Sequence, residues 1–350
     1  MFKILFMTDA HVKGVNPKTR KDFFPDTIIG KCREIAQIAV DEQVDVIVDG
    51  GDLTDSGNCS PSVFSAALAP FVGLAKWEEH GHGPSIKVPI PFIEVMGNHS
   101  VFGNNPDSYV DTNFIVAETS GSMTILKQGE QLDFYGYEGI HVQIMGSPST
   151  PFTDVLDNIS EYMPVFTPGV DFPVNVVHGF LTDIAWGSKI PHTRIDDILQ
   201  TEALITLTGH EHLGFGMIKR NGRYFINPGA VSRIRADFAE IARMPRVTIL
   251  TLTKDADGNK LVDVKFIYLK CAKPGEDILS REAIEAELVR QQQEEMYAEK
   301  AVALVASTSF SLENIITEVA ASVGLSDGAR AKGLVYLEDA EKELARLGMI

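Results

Sequence analysis

Residues 44–55 read Val44-Asp45-Val46-Ile47-Val48-Asp49-Gly50-Gly51-Asp52-Leu53-Thr54-Asp55. A short apolar run closed by paired glycines, with two carboxylates behind it, describes a buried strand that delivers acidic side chains at its carboxyl end. The same grammar recurs on either side. Phe2 to Met7 is an apolar run ending at Thr8-Asp9-Ala10-His11, and Pro91 to Met96 ends at Gly97-Asn98-His99. Between these runs, residues 26–42 place Ile28, Ile29, Cys32, Ile35, Ile38 and Ala39 at helical spacing. Residues 61–79 open with Ser60-Pro61, a helix start signal, and their apolar positions again recur every three or four residues. Strand, helix, strand, helix, strand predicts a mostly parallel sheet with helices on its faces.

Further along, β signals dominate. Met123–Leu126, Leu132–Tyr137, Ile140–Met145, Val174–Val177, Ala203–Leu207, Gly216–Lys219, Tyr224–Ile226, Val247–Thr253 and Leu261–Leu269 read as strands. Asn221-Gly222 and Asp257-Gly258-Asn259 are hairpin turns. Asn98–Ser108 and Pro148–Gly169 read as irregular. The character changes at Pro274-Gly275. Residues 276–350 are helix-rich and carry 15 acidic against 7 basic residues. The expected division is therefore 1–275, a mixed α/β domain that includes a hairpin near residues 245–269, and 276–350, a helical region.

The chain has 350 residues, 44% hydrophobic and 23% charged, which is globular composition with enough apolar residues for a sizeable core. No apolar run reaches the ~18 residues of a membrane span, and the N-terminus lacks the basic start and cleavage site of a secretory signal. Cys32, Cys59 and Cys271 are odd in number and scattered, which predicts reduced thiols and a cytoplasmic protein. The net charge of −17 argues against nucleic-acid binding by the bulk surface, leaving a local basic groove or a metal-bridged contact.

Five polar clusters stand behind strands: Asp9-Ala10-His11, Gly51-Asp52-Leu53-Thr54-Asp55, Gly97-Asn98-His99, His178-Gly179 and Gly209-His210-Glu211-His212. Singly, each has an ordinary reading as a turn, a helix cap or a core histidine. Together, in an α/β sheet, the carboxyl ends of strands line one crevice, so the clusters converge. Oxygen and imidazole donors without thiolate suit Mn²⁺, Fe²⁺ or Zn²⁺. The inventory is too large for one ion and enough for two, the arrangement that clamps a phosphate ester for in-line attack. His80, His82, His141 and His192 lack such partners, and Cys59 receives no role.

These blocks, in this order, resemble the calcineurin-like metallophosphoesterases, whose pattern is D-x-H, G-D-x-x-D, G-N-H-[DE], H, G-H-x-H. The resemblance covers residues 1 to about 235. It implies an α/β fold, a four-layer-type sandwich of mixed sheets flanked by helices, here with a helical C-terminal extension. By position it implies that Asp9, His11, Asp52 and His212 hold one divalent ion. Asp52, Asn98, His178 and His210 would hold a second, with Mn the expected metal and Fe or Zn the alternatives. His99 would be the acid beside the leaving oxygen. Gly51–Ser56 with Pro61-Ser62, Val177–Phe180 and Asn227–Arg233 look like the SbcD-type DNA repair exonucleases. That branch implies DNA as substrate and an SbcC-type coiled-coil ATPase bound through the C-terminal helices, with a homodimer among the assemblies it allows and no membrane. A small-molecule phosphodiesterase or a phosphoprotein phosphatase is the alternative, and an inactive scaffold a third reading. Ser100 stands where the family has an acidic residue, so His99 is expected to lack a carboxylate partner unless Asp55 supplies it.

Overall fold

The computed structural model describes residues 1–78, 85–155, 158–186, 190–235, 237–307, 328 and 330–337. It divides into two units, Met1–Ser280 and Arg281–Ile350.

The first unit opens with β1 (Phe2–Met7), α1 (Phe24–Asp41), β2 (Val46–Asp49) and α2 (Pro61–Leu68). Proline sits in the first turn of both helices, where its missing N–H costs nothing. The helix expected over 61–79 stops at Leu68. Pro70 removes an amide donor and clashes with the turn before it, and the chain instead forms a hairpin of β3 (Ala75–Glu78) and β4 (Ile86–Pro89). Then come β5 (Phe92–Glu94), α3 (Phe114–Thr119), β6 (Thr124–Ile125), β7 (Gln131–Tyr135), β8 (His141–Ser147) and β9 (Phe172–Val177). They are followed by β10 (Leu181–Thr182), β11 (Thr193–Arg194), β12 (Ile205–Thr208), β13 (Gly216–Arg220), β14 (Arg223–Asn227) and α4 (Ala239–Ala242). β15 (Arg246–Lys254), β16 (Lys260–Tyr268) and α5 (Gly275–Ile278) complete the unit.

Two six-stranded mixed sheets result, ordered β16-β15-β1-β2-β5-β6 and β13-β14-β12-β9-β8-β7. Strand periodicity of two explains how they pack. Ile4 and Phe6 of β1 join Val48 and Ile93 in one apolar layer with Ile144, Val174, Val176, Leu207 and Ile226 of the other sheet. Leu5 and Met7 point the opposite way, into a second layer with Phe24, Ile28 and Ile35 of α1. Mixed sheets flanked by helices are the expected architecture. The hairpin near 245–269 is not a separate cap: β15 pairs antiparallel with β1 from Phe2↔Leu252 to Phe6↔Thr248, which makes the hairpin the edge of the first sheet.

In the second unit, α6 (Arg281–Ser307) carries surface ion pairs from Arg290 to Glu287 and Glu294. Ile284 and Leu288, four residues apart, share a face of it. Residues 330–337 are also helical. The apolar face expected further on, at Ile315, Ile316 and Val319, lies outside the described residues, as does the side chain of Leu304. No helix among the described residues is long and apolar enough to cross a membrane.

Candidate metal centre

Every polar cluster leaves the carboxyl end of a strand: Asp9 and His11 after β1, Asp52 and Asp55 after β2, Asn98 and His99 after β5, His178 after β9, His210 and His212 after β12. Four of these residues adopt the left-handed backbone, with φ of 55° at Asp9, 47° at His11, 58° at Asp52 and 73° at His210. For an L-residue this costs roughly 1–2 kcal/mol each, and it persists only where surrounding contacts impose it. The contacts are three main-chain hydrogen bonds that lace two loops together. Asp9 N donates to Gly51 O at 2.9 Å, His11 N to Asp52 O at 2.8 Å and Val12 N to Leu53 O at 2.8 Å. The motif glycine at 97 is explained by crowding, because a Cβ there would overlap the Asp52 carboxylate.

The donors converge. Asp9 Oδ2 accepts from Thr8 Oγ1 at 2.6 Å and from His210 N at 3.0 Å. That leaves Asp9 Oδ1 buried with no hydrogen-bond partner, 3.6 Å from His11 Nε2 and 3.5 Å from His212 Nε2. Those two imidazole nitrogens are 3.0 Å apart. Asp52 Oδ1 accepts from His99 N at 2.9 Å, while its Oδ2 lies 3.2 Å from His178 Nε2 and 3.8 Å from His11 Nε2. His178 Nδ1 is 2.8 Å from Gly50 O. A proton held there leaves Nε2 as a lone-pair donor, the usual outer support of a metal-binding imidazole. Asn98 Oδ1 stands 3.2 Å from His178 Nε2 and 3.0 Å from His210 Nδ1. Three overlapping triads have donor atoms within 4.8 Å of one another: Asp9, His11 and His212; Asp9, Asp52 and His178; His11, Asp52 and His99. A buried carboxylate oxygen without a partner, facing imidazole nitrogens, is a donor set that fits divalent transition metals.

The electrostatics carry the same imprint. Burial opposes a charge on His11, but the carboxylates of Asp55, Asp9 and Asp52 outweigh it, raising its pKa to about 10. Burial likewise opposes the charge on His178, and Asp52 outweighs it, raising the pKa to about 9. His210 goes the other way, down to about 4, through burial and the neighbouring His178 charge. Burial pushes Asp52 upward, yet the His178 and His11 charges bring it below the ordinary carboxylate range. The shifts favour the protonated form of His11 and His178 and the neutral form of His210.

All nine residues singled out from the sequence lie in this one cluster. Asp55 behaves differently from the expectation. Its carboxylate faces His11 Nδ1 at 3.3 Å and Lys13 Nζ at 2.9 Å, and only its main-chain carbonyl faces His99 Nδ1, at 3.3 Å. Ser100 is fully buried and its hydroxyl has no hydrogen-bond partner. The sequence reading passed over Asp49, Glu94 and Asp154, all buried. Asp49 and Glu94 are register partners on β2 and β5, and burial raises both pKa values well above the ordinary range. Their signal was a carboxylate inside an apolar strand. Asp154 accepts from Tyr162 Oη at 2.9 Å, Thr193 Oγ1 at 2.5 Å and Phe180 N at 2.6 Å, and so fixes the loop after His178. It sits in a stretch without periodicity and gave no signal. His141 pairs with Asp133 and His192 with Ile190 O, and neither contributes to the donor set. His80 and His82 lie outside the described residues.

The cluster forms the floor of a cleft of about 690 Å³ whose lining includes His11, Asp52, Asn98, His99, His210 and His212. A family described as calcineurin-like phosphoesterase matches residues 2–244. No curated protein matches the chain in sequence. Among solved structures, the chain is similar to a dimetal phosphatase from Danio rerio at 11% identity, covering 77% of this chain and 98% of that one, with a TM-score of 0.46. It is similar to a calcineurin-like phosphoesterase from Bacillus subtilis at 15% identity, covering 84% and 97%, TM-score 0.44. A purple acid phosphatase from yellow lupin (Lupinus luteus) seeds shares 12% identity, with 78% and 52% covered and a TM-score of 0.44.

Proposed function

The chain belongs to the calcineurin-like phosphoesterase family, and from that premise we propose that it is a two-metal phosphodiesterase acting on DNA, of the SbcD type. The observation that carries the metal chemistry is the buried Asp9 Oδ1, without a hydrogen-bond partner, at the meeting point of His11 and His212. Asp9, His11, Asp52 and His212 would hold one cation. Asp52, Asn98, His178 and His210 would hold the other, with manganese preferred over magnesium because imidazole is a poor partner for a hard, oxygen-seeking ion. When bound, the two cations supply Lewis acidity toward a phosphate ester and acidify water.

The chain's own residues then do the following. Asp52 offers two carboxylate oxygens and so can serve both sites. Asn98 contributes a neutral oxygen, which limits negative charge where an anion must enter. His99 is exposed at the cleft, with its backbone pinned to Asp52 and Nδ1 toward the Asp55 carbonyl. With Nδ1–H directed at that carbonyl, the imidazolium form of His99 carries its second proton on Nε2, the atom that passes it to the departing oxygen, a role for which imidazole is suited.

The DNA reading rests on the sequence resemblance, including Asn227–Arg233. In the structure Asn227 Nδ2 donates to Glu211 O at 3.0 Å, and its Oδ1 accepts from Gly229 N at 2.8 Å, so part of that motif braces the loop bearing His210 and His212. The helical unit after Ser280 is the proposed docking element for a coiled-coil ATPase. Manganese-dependent cleavage of double- and single-stranded DNA, run beside bis-p-nitrophenyl phosphate, tests the assignment. Hydrolysis of the small diester without DNA cleavage would move the protein to the small-molecule phosphodiesterases. Equal activity with magnesium and no bound transition metal would remove the metal assignment.

A further inference from the structure

We propose that Arg235 forms a subsite for a second phosphate of the substrate, next to the one that reacts. The inference rests on the phosphodiesterase reading and names how that site selects its substrate.

The segment Ala230–Arg233 is held from two sides. On one side its amides hold the metal loops. Ala230 N donates to His212 O at 2.9 Å, Val231 N to Thr8 O at 3.0 Å and Ser232 N to Asp9 O at 3.2 Å. On the other side each of its four carbonyls accepts from a basic side chain. Val231 O accepts from Lys31 Nζ at 2.6 Å, Arg233 O from the Arg20 guanidinium at 3.0 Å, and Ala230 O and Ser232 O both from Arg243. The Arg233 side chain is itself buried and donates to the carbonyls of Arg243 and Lys273. Four basic side chains thus donate to main-chain oxygens, and the strap is hydrogen-bonded along both edges.

The next two residues, Ile234 and Arg235, emerge from this strap into the cleft. Among the described residues lining it, Arg235 is the one lysine or arginine. It is exposed and has no carboxylate partner among the described residues. The cleft otherwise presents Asp52 and Asp154, in a protein of net charge −17. Two bound cations would answer the reacting phosphate. Among the described residues of the lining, Arg235 is the fixed cation available to a neighbouring phosphate, and its planar fork suits phosphate oxygens. A cleft of about 690 Å³ is the size of a small-ligand pocket and takes more than a bare phosphate.

The test is calorimetric binding of thymidine 3′,5′-bisphosphate against thymidine 5′-monophosphate to the manganese-loaded protein. The bisphosphate should bind about tenfold tighter, the gain of one charge-assisted pair. Arg235→Gln should reduce that ratio below about twofold, and Arg235→Lys should restore part of it, since lysine keeps the charge and loses the fork. Metal content by elemental analysis certifies each variant. Equal weakening of both ligands in Arg235→Gln would put the residue on the reacting phosphate and overturn the subsite. No preference in the wild type would also overturn it. A wild type that prefers the bisphosphate yet hydrolyses neither DNA nor bis-p-nitrophenyl phosphate would uphold the subsite and remove the catalytic reading instead.

Discussion

Asp55 separates two functions that its position in the motif had merged. Its carboxylate braces His11, a proposed ligand, and its carbonyl faces His99, the proposed proton donor. Asp55→Ala removes the first contact and keeps the second. It should weaken metal binding by about 10–100-fold, the usual effect of losing an outer partner of a ligand, with no shift in the alkaline limb of the pH–rate profile at saturating metal. Metal titration alongside pH–rate measurements checks this; a displaced limb would return the carboxylate to His99. Ser100 leads to a second expectation. Because it is fully buried, an aspartate there becomes an uncompensated interior charge and not a partner for His99. Ser100→Asp should destabilise the protein by roughly 3–5 kcal/mol, read as a lower denaturant midpoint, with no gain in turnover. A faster enzyme of unchanged stability would refute it.

At the scale of elements, the loops after β1 and β2 act as one piece because three amide bonds lace them together over left-handed residues. Gly97→Ala places a methyl group against Asp52 and should cost both metals together, with turnover down at least about 100-fold; loss of one ion alone would show that Asp52 is not shared. These loops were legible in the sequence because each follows an apolar strand, and strand ends in α/β sheets have one common destination. What was not legible shares a different cause. The break at Pro70 hid inside a run whose apolar spacing still mimicked a helix. Asp154 works through tertiary contacts between irregular segments, where no periodicity exists to read. The hairpin β15–β16 was visible as two strands, but its attachment to β1 depends on long-range register. That attachment has a consequence. A chain ended at residue 244 exposes the β1 edge and should fail to give a cooperative thermal transition, whereas one ended at 280 should fold and hydrolyse bis-p-nitrophenyl phosphate. The reverse result would make the hairpin an accessory and the last helices part of the core.

Across the whole molecule, protons and metals compete for one site, and the direction of that competition follows from the raised histidines. His11 and His178 have folded-state pKa values of about 10 and about 9, above the ordinary 6.5. A raised histidine stabilises the folded chain fully below its unfolded pKa, and the contribution disappears as pH rises through the folded value. The metal-free protein should therefore lose stability between about pH 7 and pH 10 through these two groups. Metal binding runs opposite, because an imidazole must shed its proton before it can ligate. At pH 7 both groups are protonated without metal, so loading the site should release about two protons, and affinity should climb steeply with pH until about pH 9. Heating metal-free and manganese-loaded samples across that range checks both halves. The gap between their melting temperatures should widen as pH rises, since one state loses its proton-borne pairing while the other is bound more tightly. In Asp52→Asn the carboxylate that holds up His178 is gone, so metal-free His178 should titrate below about 9 in an NMR experiment. A gap that narrows with pH, or a His178 titration unmoved by Asp52→Asn, would mean that carboxylates and imidazoles do not share one electrostatic site, and the two-ion assignment would fall with it.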